Sequence, residues 1–280
     1  MAYLSRLFYF MLFFSLLNSI TFAQTLVIHS NKLPRADTIL IVTPKNYSQE
    51  NAKKFPLVFM LHGWSGNYKQ WSEIIDLQEQ ADKYGFILVC PDGLYDSWYL
   101  NSPKLKNQQY ANFFFQDLLP QLSKKYRIDD KNIFITGLSM GGYGAFSLFL
   151  QQPDLFKSVA ATSALFDLRL FAKRFGLPKI LGNFDKQSEQ KSDNKANSWE
   201  TYSIITQLKA WKSKDKLINK SIYFDCGKAD AFLESNIDFE KTCKNLGIQS
   251  IFVSTDGNHS QSYWQKTIIT HFEFFSKLVN

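Results

Sequence analysis

The stretch Ile133-Phe134-Ile135-Thr136-Gly137-Leu138-Ser139-Met140-Gly141 decides how this chain is read. Its first four residues are a short apolar, β-branched and aromatic run, the pattern of a buried strand. The next five fit G-x-S-x-G, and Gly141–Gln151 continues as a helix. A strand, a sharp turn and a helix are the setting in which such a serine becomes reactive, because the turn lifts the Oγ above the sheet edge. The flanking glycines remove Cβ atoms that would collide with the neighbouring strand and helix. The N–H of Met140 then points toward a developing oxyanion, assisted by the positive end of the helix.

Outward from this segment, short apolar runs alternate with longer helical stretches. Thr25–His29 and Thr38–Val42 read as an early hairpin or meander. Pro56–Leu61, Phe86–Cys90, Val159–Ser163, Ser221–Phe224 and Ile251–Ser254 read as further strands. Helical patterns cover Trp71–Tyr84, Phe113–Tyr126 and Tyr263–Leu278. Such alternation predicts an α/β fold, a mostly parallel sheet with helices on both faces. The least apolar stretch, Asp185–Glu200, reads as a polar surface insertion, and nothing divides residues 24–280 into two domains.

The chain has 280 residues, 45% of them hydrophobic, which excludes a disordered or collagen-like protein. Residues 1–23 read as a signal peptide. Arg6 is their only charge, Leu7–Leu17 is apolar, and Thr21-Phe22-Ala23 resembles a small-x-small cleavage site. The apolar run is shorter than a bilayer span requires, so export to the periplasm or outside the cell is expected, with no stable membrane span after cleavage. The net charge of +7 comes from lysines interleaved with acids, as at Lys212–Lys216, a solvated surface rather than a nucleic-acid footprint. Cys90, Cys226 and Cys243 form no disulfide framework, and their pairing stays open. No metal motif occurs, and no cofactor is called for.

A serine needs a base, and four histidines allow elimination. Where G-x-S-x-G is used in this way, the acid and then the histidine follow the serine in the chain. His29 and His62 precede Ser139. His271 lies within the terminal helical pattern, where it reads as a satisfied structural residue. His259 follows the last strand in the loop Asp256-Gly257-Asn258-His259-Ser260 and is the candidate base. Asp225 and Asp230 flank the preceding strand. Asp225 is still in the strand run and Asp230 lies beyond Gly227 at its carboxyl end, so position favours Asp230, with Asp225 as the alternative. Leu61-His62-Gly63-Trp64 follows an earlier strand, and the Trp64 N–H is the natural second oxyanion donor.

These blocks resemble the Putative esterase family, which includes tributyrin, feruloyl and acetyl-xylan esterases, S-formylglutathione hydrolases and mycolyltransferases. The matching residues are Leu61–Gly66 with Trp71, Pro91-Asp92-Gly93, Ser97-Trp98-Tyr99, Gly137–Ala145, Asp225–Leu233, and Gly257-Asn258-His259 with Tyr263-Trp264. The resemblance covers nearly all of residues 24–280. It implies an α/β-hydrolase fold with Ser139, Asp230 and His259 as a triad and the N–H groups of Trp64 and Met140 as oxyanion hole. Two positions depart from the family pattern. Asn258 replaces the second Gly of a Gly-Gly-His, and Tyr143 stands where the cytosolic thioesterase branch usually carries His. The second departure and the leader count against an S-formylglutathione hydrolase. An acyltransferase using the same triad, or a binding module without catalysis, are the other readings.

The chain carries 26 Phe, 13 Tyr and 6 Trp. Seven aromatic residues fall in the leader and many of the rest in strand or helix patterns. Trp98 and Tyr99, with Gly63, are expected to line a substrate pocket beside the serine, while Trp64 adds a third aromatic side chain there. The expected partner is a small-molecule or polysaccharide ester, and the oligomeric state is open.

Overall fold

Alternate residues of one central strand face two different cores, and this settles the layering. In β3 (Phe55–Leu61), Leu57, Phe59 and Leu61 point to one side and Val58 and Met60 to the other. A strand buried on both faces must be covered by helices on both. The computed structural model describes residues 23–48, 52–185, 199–211 and 219–279. These form an eight-stranded sheet in the order β1-β2-β4-β3-β5-β6-β7-β8.

β1 (Ala23–Ile28) and β2 (Asp37–Val42) form the antiparallel hairpin expected, and β2 runs antiparallel to β4 (Ile87–Pro91). From β4 onward the sheet is parallel, through β5 (Ile128–Gly137), β6 (Ser158–Thr162), β7 (Ile222–Gly227) and β8 (Ser250–Thr255). The sequence therefore predicts the strand set correctly. Ala23, the last residue read as leader, is the first of β1. Residues 1–22, most of the polar insertion at 186–198, and the Lys212–Lys216 run lie outside the described residues.

The stretch expected to be one helix over Trp71–Tyr84 is two, α1 (Gln70–Ile74) and α2 (Leu77–Tyr84). Ile75 is extended, and the Asp76 side chain accepts from the Glu79 N–H at 3.0 Å, starting a new helix. Such a cap is worth about 1 kcal/mol, enough to fix a boundary inside an amphipathic pattern. The second helical stretch runs as α3 (Tyr110–Phe113), a π-helical turn over Phe114–Leu118, and α4 (Leu119–Lys125). Pro120 lacks the N–H that would continue the α-helical ladder there. Further along come α5 (Met140–Gln151), α6 (Leu177–Leu181), α7 (Ile204–Trp211), α8 (Leu233–Leu246) and α9 (Gln261–Ser276).

Helices α1, α2 and α9 cover one face, where Trp71, Ile74, Leu77, Ala81, Ile268, Phe272 and Phe275 meet Val58, Met60 and Phe134. The other face carries the larger core, with Phe113, Phe114, Phe146, Phe149, Phe166 and Phe239. Each fully buried Phe contributes about 1.5–3 kcal/mol. Most of the aromatic excess is spent on these two layers. The three cysteines are buried and unbridged, and burial pushes each thiol well above its usual range. Among the described residues no helix is long and apolar enough to cross a membrane, and no cluster of side chains could hold a metal ion.

Candidate active site

The carboxyl ends of β3, β5, β6 and β7 meet along one edge of the sheet, and the candidate residues collect there. Ser139 stands between β5 and α5 with φ 54° and ψ −116°, a conformation that costs a non-glycine residue energy and survives only where neighbours enforce it. They do so here by close approach. A Cβ on Gly137 would lie 2.3 Å from the Gly141 backbone, and one on Gly141 would lie 2.2 Å from the Leu61 carbonyl oxygen. No other residue fits either position, which is the physical content of the motif. The Ser139 N–H donates to the Thr162 carbonyl at 3.0 Å, tying the turn to β6.

Ser139 Oγ is 2.9 Å from His259 Nε2, and His259 Nδ1 lies 3.1 and 3.0 Å from the two oxygens of Asp230. The carboxylate fixes the ring with Nδ1–H donating to it, which leaves Nε2 to accept the serine proton. The Asp230 carboxylate is wholly buried and the His259 side chain is 31% exposed. Burial alone would push the Asp230 carboxyl up. The hydrogen bond and charge of His259, with the Phe232 N–H and the Ser163 hydroxyl, outweigh burial and hold it below the usual carboxylate range. The His259 ring is seated between Phe232, at 4.8 Å, and Trp264, at 5.1 Å and perpendicular to it.

The loop after β3 approaches from the other side. Gly63 N–H donates to Gln70 Oε1 at 2.8 Å, Ser65 N–H to the Tyr95 carbonyl at 2.9 Å, and Gly141 N–H to the Leu138 carbonyl at 2.7 Å. No acceptor among the described residues pairs with the intervening N–H groups of Trp64 and Met140. Two unpaired donors beside the serine are what an oxyanion hole requires. Beneath them His62 is fully buried, with Nδ1 2.7 Å from the Gly63 carbonyl and Nε2 against the Asp92 carbonyl. Burial pushes that imidazole down to about 4. It therefore braces the loop and lies outside the Ser139–His259–Asp230 group.

The expected pocket is corrected at two residues. Trp98 and Tyr99 are 1% and 0% exposed, so neither presents a face to a ligand. Both have positive φ, 51° and 56°, and both side chains pack into the core. Trp98 Nε1 donates to the Phe175 carbonyl at 3.0 Å, and the Tyr99 hydroxyl donates to the His62 carbonyl at 3.1 Å. They support the site from below. Gly63 does stand at the serine, where an added Cβ would lie 3.5 Å from Ser139 Cβ. Of the expected aromatic side chains only Trp64 stands at the surface beside the serine, in a chain whose other members, Tyr95, Phe175 and Phe232, the sequence reading does not name. Trp64 contacts Tyr95 at 5.1 Å and Phe175 at 5.6 Å, and Phe175 contacts Phe232 at 6.2 Å. Phe175 lies far from the serine in sequence, and no motif marks it.

Residues 30–275 match the family described as Putative esterase. The chain is 28% identical over 273 residues to an acetyl esterase of Caldicellulosiruptor saccharolyticus, covering 89% of this chain and 96% of the relative. It is 30% identical over 242 residues to an S-formylglutathione hydrolase of Saccharomyces cerevisiae, covering 75% and 77%. Among solved structures, a ferulic acid esterase superposes with a TM-score of 0.76 at 25% identity, covering 92% of this chain and 98% of the other. Given the family match over most of its length and the α/β-hydrolase architecture around a buried carboxylate, imidazole and serine, the chain belongs to the Putative esterase family and is an esterase.

Proposed function

We propose that this protein is an exported serine hydrolase of carboxylic esters, acting through an acyl-enzyme on short-chain or carbohydrate-linked esters. The observation that carries the reading is the line of hydrogen bonds from Ser139 Oγ through His259 to Asp230 beside two unpaired N–H groups. In the proposed mechanism His259 Nε2 takes the proton as Ser139 Oγ attacks the ester carbonyl. The carbonyl oxygen becomes an oxyanion held by the Trp64 and Met140 N–H groups. Asp230 keeps the ring oriented and stabilises the imidazolium, which then protonates the departing alcohol. Water, deprotonated by the same imidazole, attacks the acyl-Ser139 and releases the acid.

Oxygen esters are preferred because Tyr143 stands where the thioesterase branch usually carries His; here it is fully buried, with its hydroxyl donating to the Tyr202 carbonyl at 2.9 Å. Tyr143 packs perpendicular to Trp98 at 5.6 Å, so this part of the molecule is a packed aromatic wall. Export rests on the leader pattern of residues 1–23 alone. The rim of Trp64, Tyr95 and Phe175 offers apolar faces on which an acyl chain or a sugar ring could stack. Hydrolysis of acetylated and feruloylated xylan fragments, compared with short-chain p-nitrophenyl esters, tests the substrate class. Turnover of glutathione thioesters far above all of these would contradict it.

A further inference from the structure

A second set of polar side chains lies directly under the site. His271, on α9, is fully buried, with Nδ1 2.7 Å from Thr136 Oγ1 and Nε2 2.7 Å from Asp225 Oδ2. The other Asp225 oxygen accepts from the Thr162 hydroxyl at 2.7 Å, and Thr162 Oγ1 lies 3.0 Å from Thr267 Oγ1. The arrangement joins β5, β6, β7 and α9. Both carboxylate oxygens are thus occupied, one by the Thr162 hydroxyl and one by His271 Nε2–H, while Nδ1 pairs with the Thr136 hydroxyl. Apolar residues of similar volume often serve a core at least as well as a buried polar network. The return from such a network is geometric definition.

Hydrogen bonds and ring contacts lead from it to each of the three residues above. The Thr162 carbonyl accepts the Ser139 N–H, and Thr136 precedes Ser139 by three residues. The Asp225 carbonyl accepts the Ser163 N–H at 2.8 Å, holding Ser163 at φ 51°. The Ser163 hydroxyl accepts from Trp264 Nε1 at 3.0 Å and helps to hold the Asp230 carboxyl below its usual range. Trp264 stands perpendicular against His259. Trp264, Thr267 and His271 share one face of α9, spaced three and four apart.

We propose that Thr136, Thr162, Asp225 and His271 are positioning residues that set the mutual spacing of Ser139, His259 and Asp230. The proposal rests on those three being the reacting group. Displacements well under 1 Å matter at such a site, and a misplacement of about 1 Å can cost roughly 100-fold in rate.

Isosteric pairs test it. Thr136→Val removes one hydroxyl and keeps the volume, and Thr136→Ser restores the hydroxyl. The same pair at Thr162 tests a second arm if the first variant folds poorly. Turnover of p-nitrophenyl acetate is measured well below each variant's Tm. The valine variants are expected to lose roughly 10- to 100-fold in kcat with KM within about twofold, and the serine variants to recover most of it. Wild-type kcat in the valine variants, with only Tm lowered, would overturn the proposal. Serine variants as slow as the valine ones would also overturn it. Full turnover by Ser139→Ala would remove the reacting group itself and the proposal with it, a result distinct from either.

Discussion

Two hydroxyl–imidazole–carboxylate chains lie in this molecule, one above the other. The upper runs from Ser139 through His259 to Asp230, and the lower from Thr136 through His271 to Asp225. Both hydroxyls belong to β5 or the turn after it, both carboxylates to β7 or the loop after it. The lower chain has the tighter contacts, 2.7 Å at each step against 2.9 and 3.0 Å above. Alignment of three groups therefore does not distinguish a site from a brace. The upper hydroxyl sits on a strained turn beside two unpaired N–H groups, with its histidine partly open to solvent. The lower one belongs to a strand whose backbone is committed to the sheet, and its histidine is wholly enclosed. Access, and donors for the charge that develops, separate the two.

The largest expected effect is at the upper hydroxyl. Ser139→Ala should lower kcat by roughly 10⁴- to 10⁶-fold with the fold intact, measured on p-nitrophenyl acetate and by circular dichroism. The two carboxylates should then part company. Asp230→Asn should cost roughly 10⁴-fold in kcat, because the ring loses the acceptor that fixes its tautomer. Asp225→Asn should be far milder in kcat and lower stability by about 1–3 kcal/mol, read by urea unfolding, because the amide satisfies only part of a buried hydrogen-bond network. If Asp225→Asn proved the more damaging to catalysis, the chains would have been assigned in the wrong order. A smaller effect comes from emptying the lower chain of polarity. The double variant Asp225→Leu, His271→Phe should be more stable than Asp225→Asn while its kcat stays depressed.

A third buried carboxylate sharpens the contrast, because no imidazole meets it. Asp37 accepts from the Asp92 and Gly93 N–H groups, and burial together with the Asp92 charge raises it to about 7. Its folded form holds a proton that the unfolded chain releases near pH 4, so its contribution is full below that pH and is lost as pH rises toward 7. Relative to wild type, Asp37→Asn should gain stability steadily from pH 4 to 7 and level off above. Parallel stability profiles for the two proteins would remove Asp37 from this account.

The upper chain was legible in the sequence because its parts carry local signals. Gly137 and Gly141 mark the turn, and His259 and Asp230 follow strand ends in the order the chemistry uses. The lower chain has no motif. Its only trace is the spacing of Trp264, Thr267 and His271, which puts three polar-tipped side chains on the otherwise apolar, sheet-facing side of α9. Trp98 and Tyr99 were misjudged because adjacency to a strand end suggests a rim. Both have positive φ, as do Gly93 and Leu94, and both side chains pack into the core. The break at Ile75 was hidden because α1 and α2 keep their apolar faces on the same side of the sheet.

The central claim is that Ser139, alone among the hydroxyls of the described residues, joins an aligned imidazole and carboxylate to access from solvent past a partly exposed histidine. Fluorophosphonate labelling followed by peptide mass mapping tests it most directly. The account predicts a single adduct, on Ser139, formed rapidly in wild type and slowed by orders of magnitude in His259→Ala. An adduct on another residue, or unchanged labelling without His259, would contradict it.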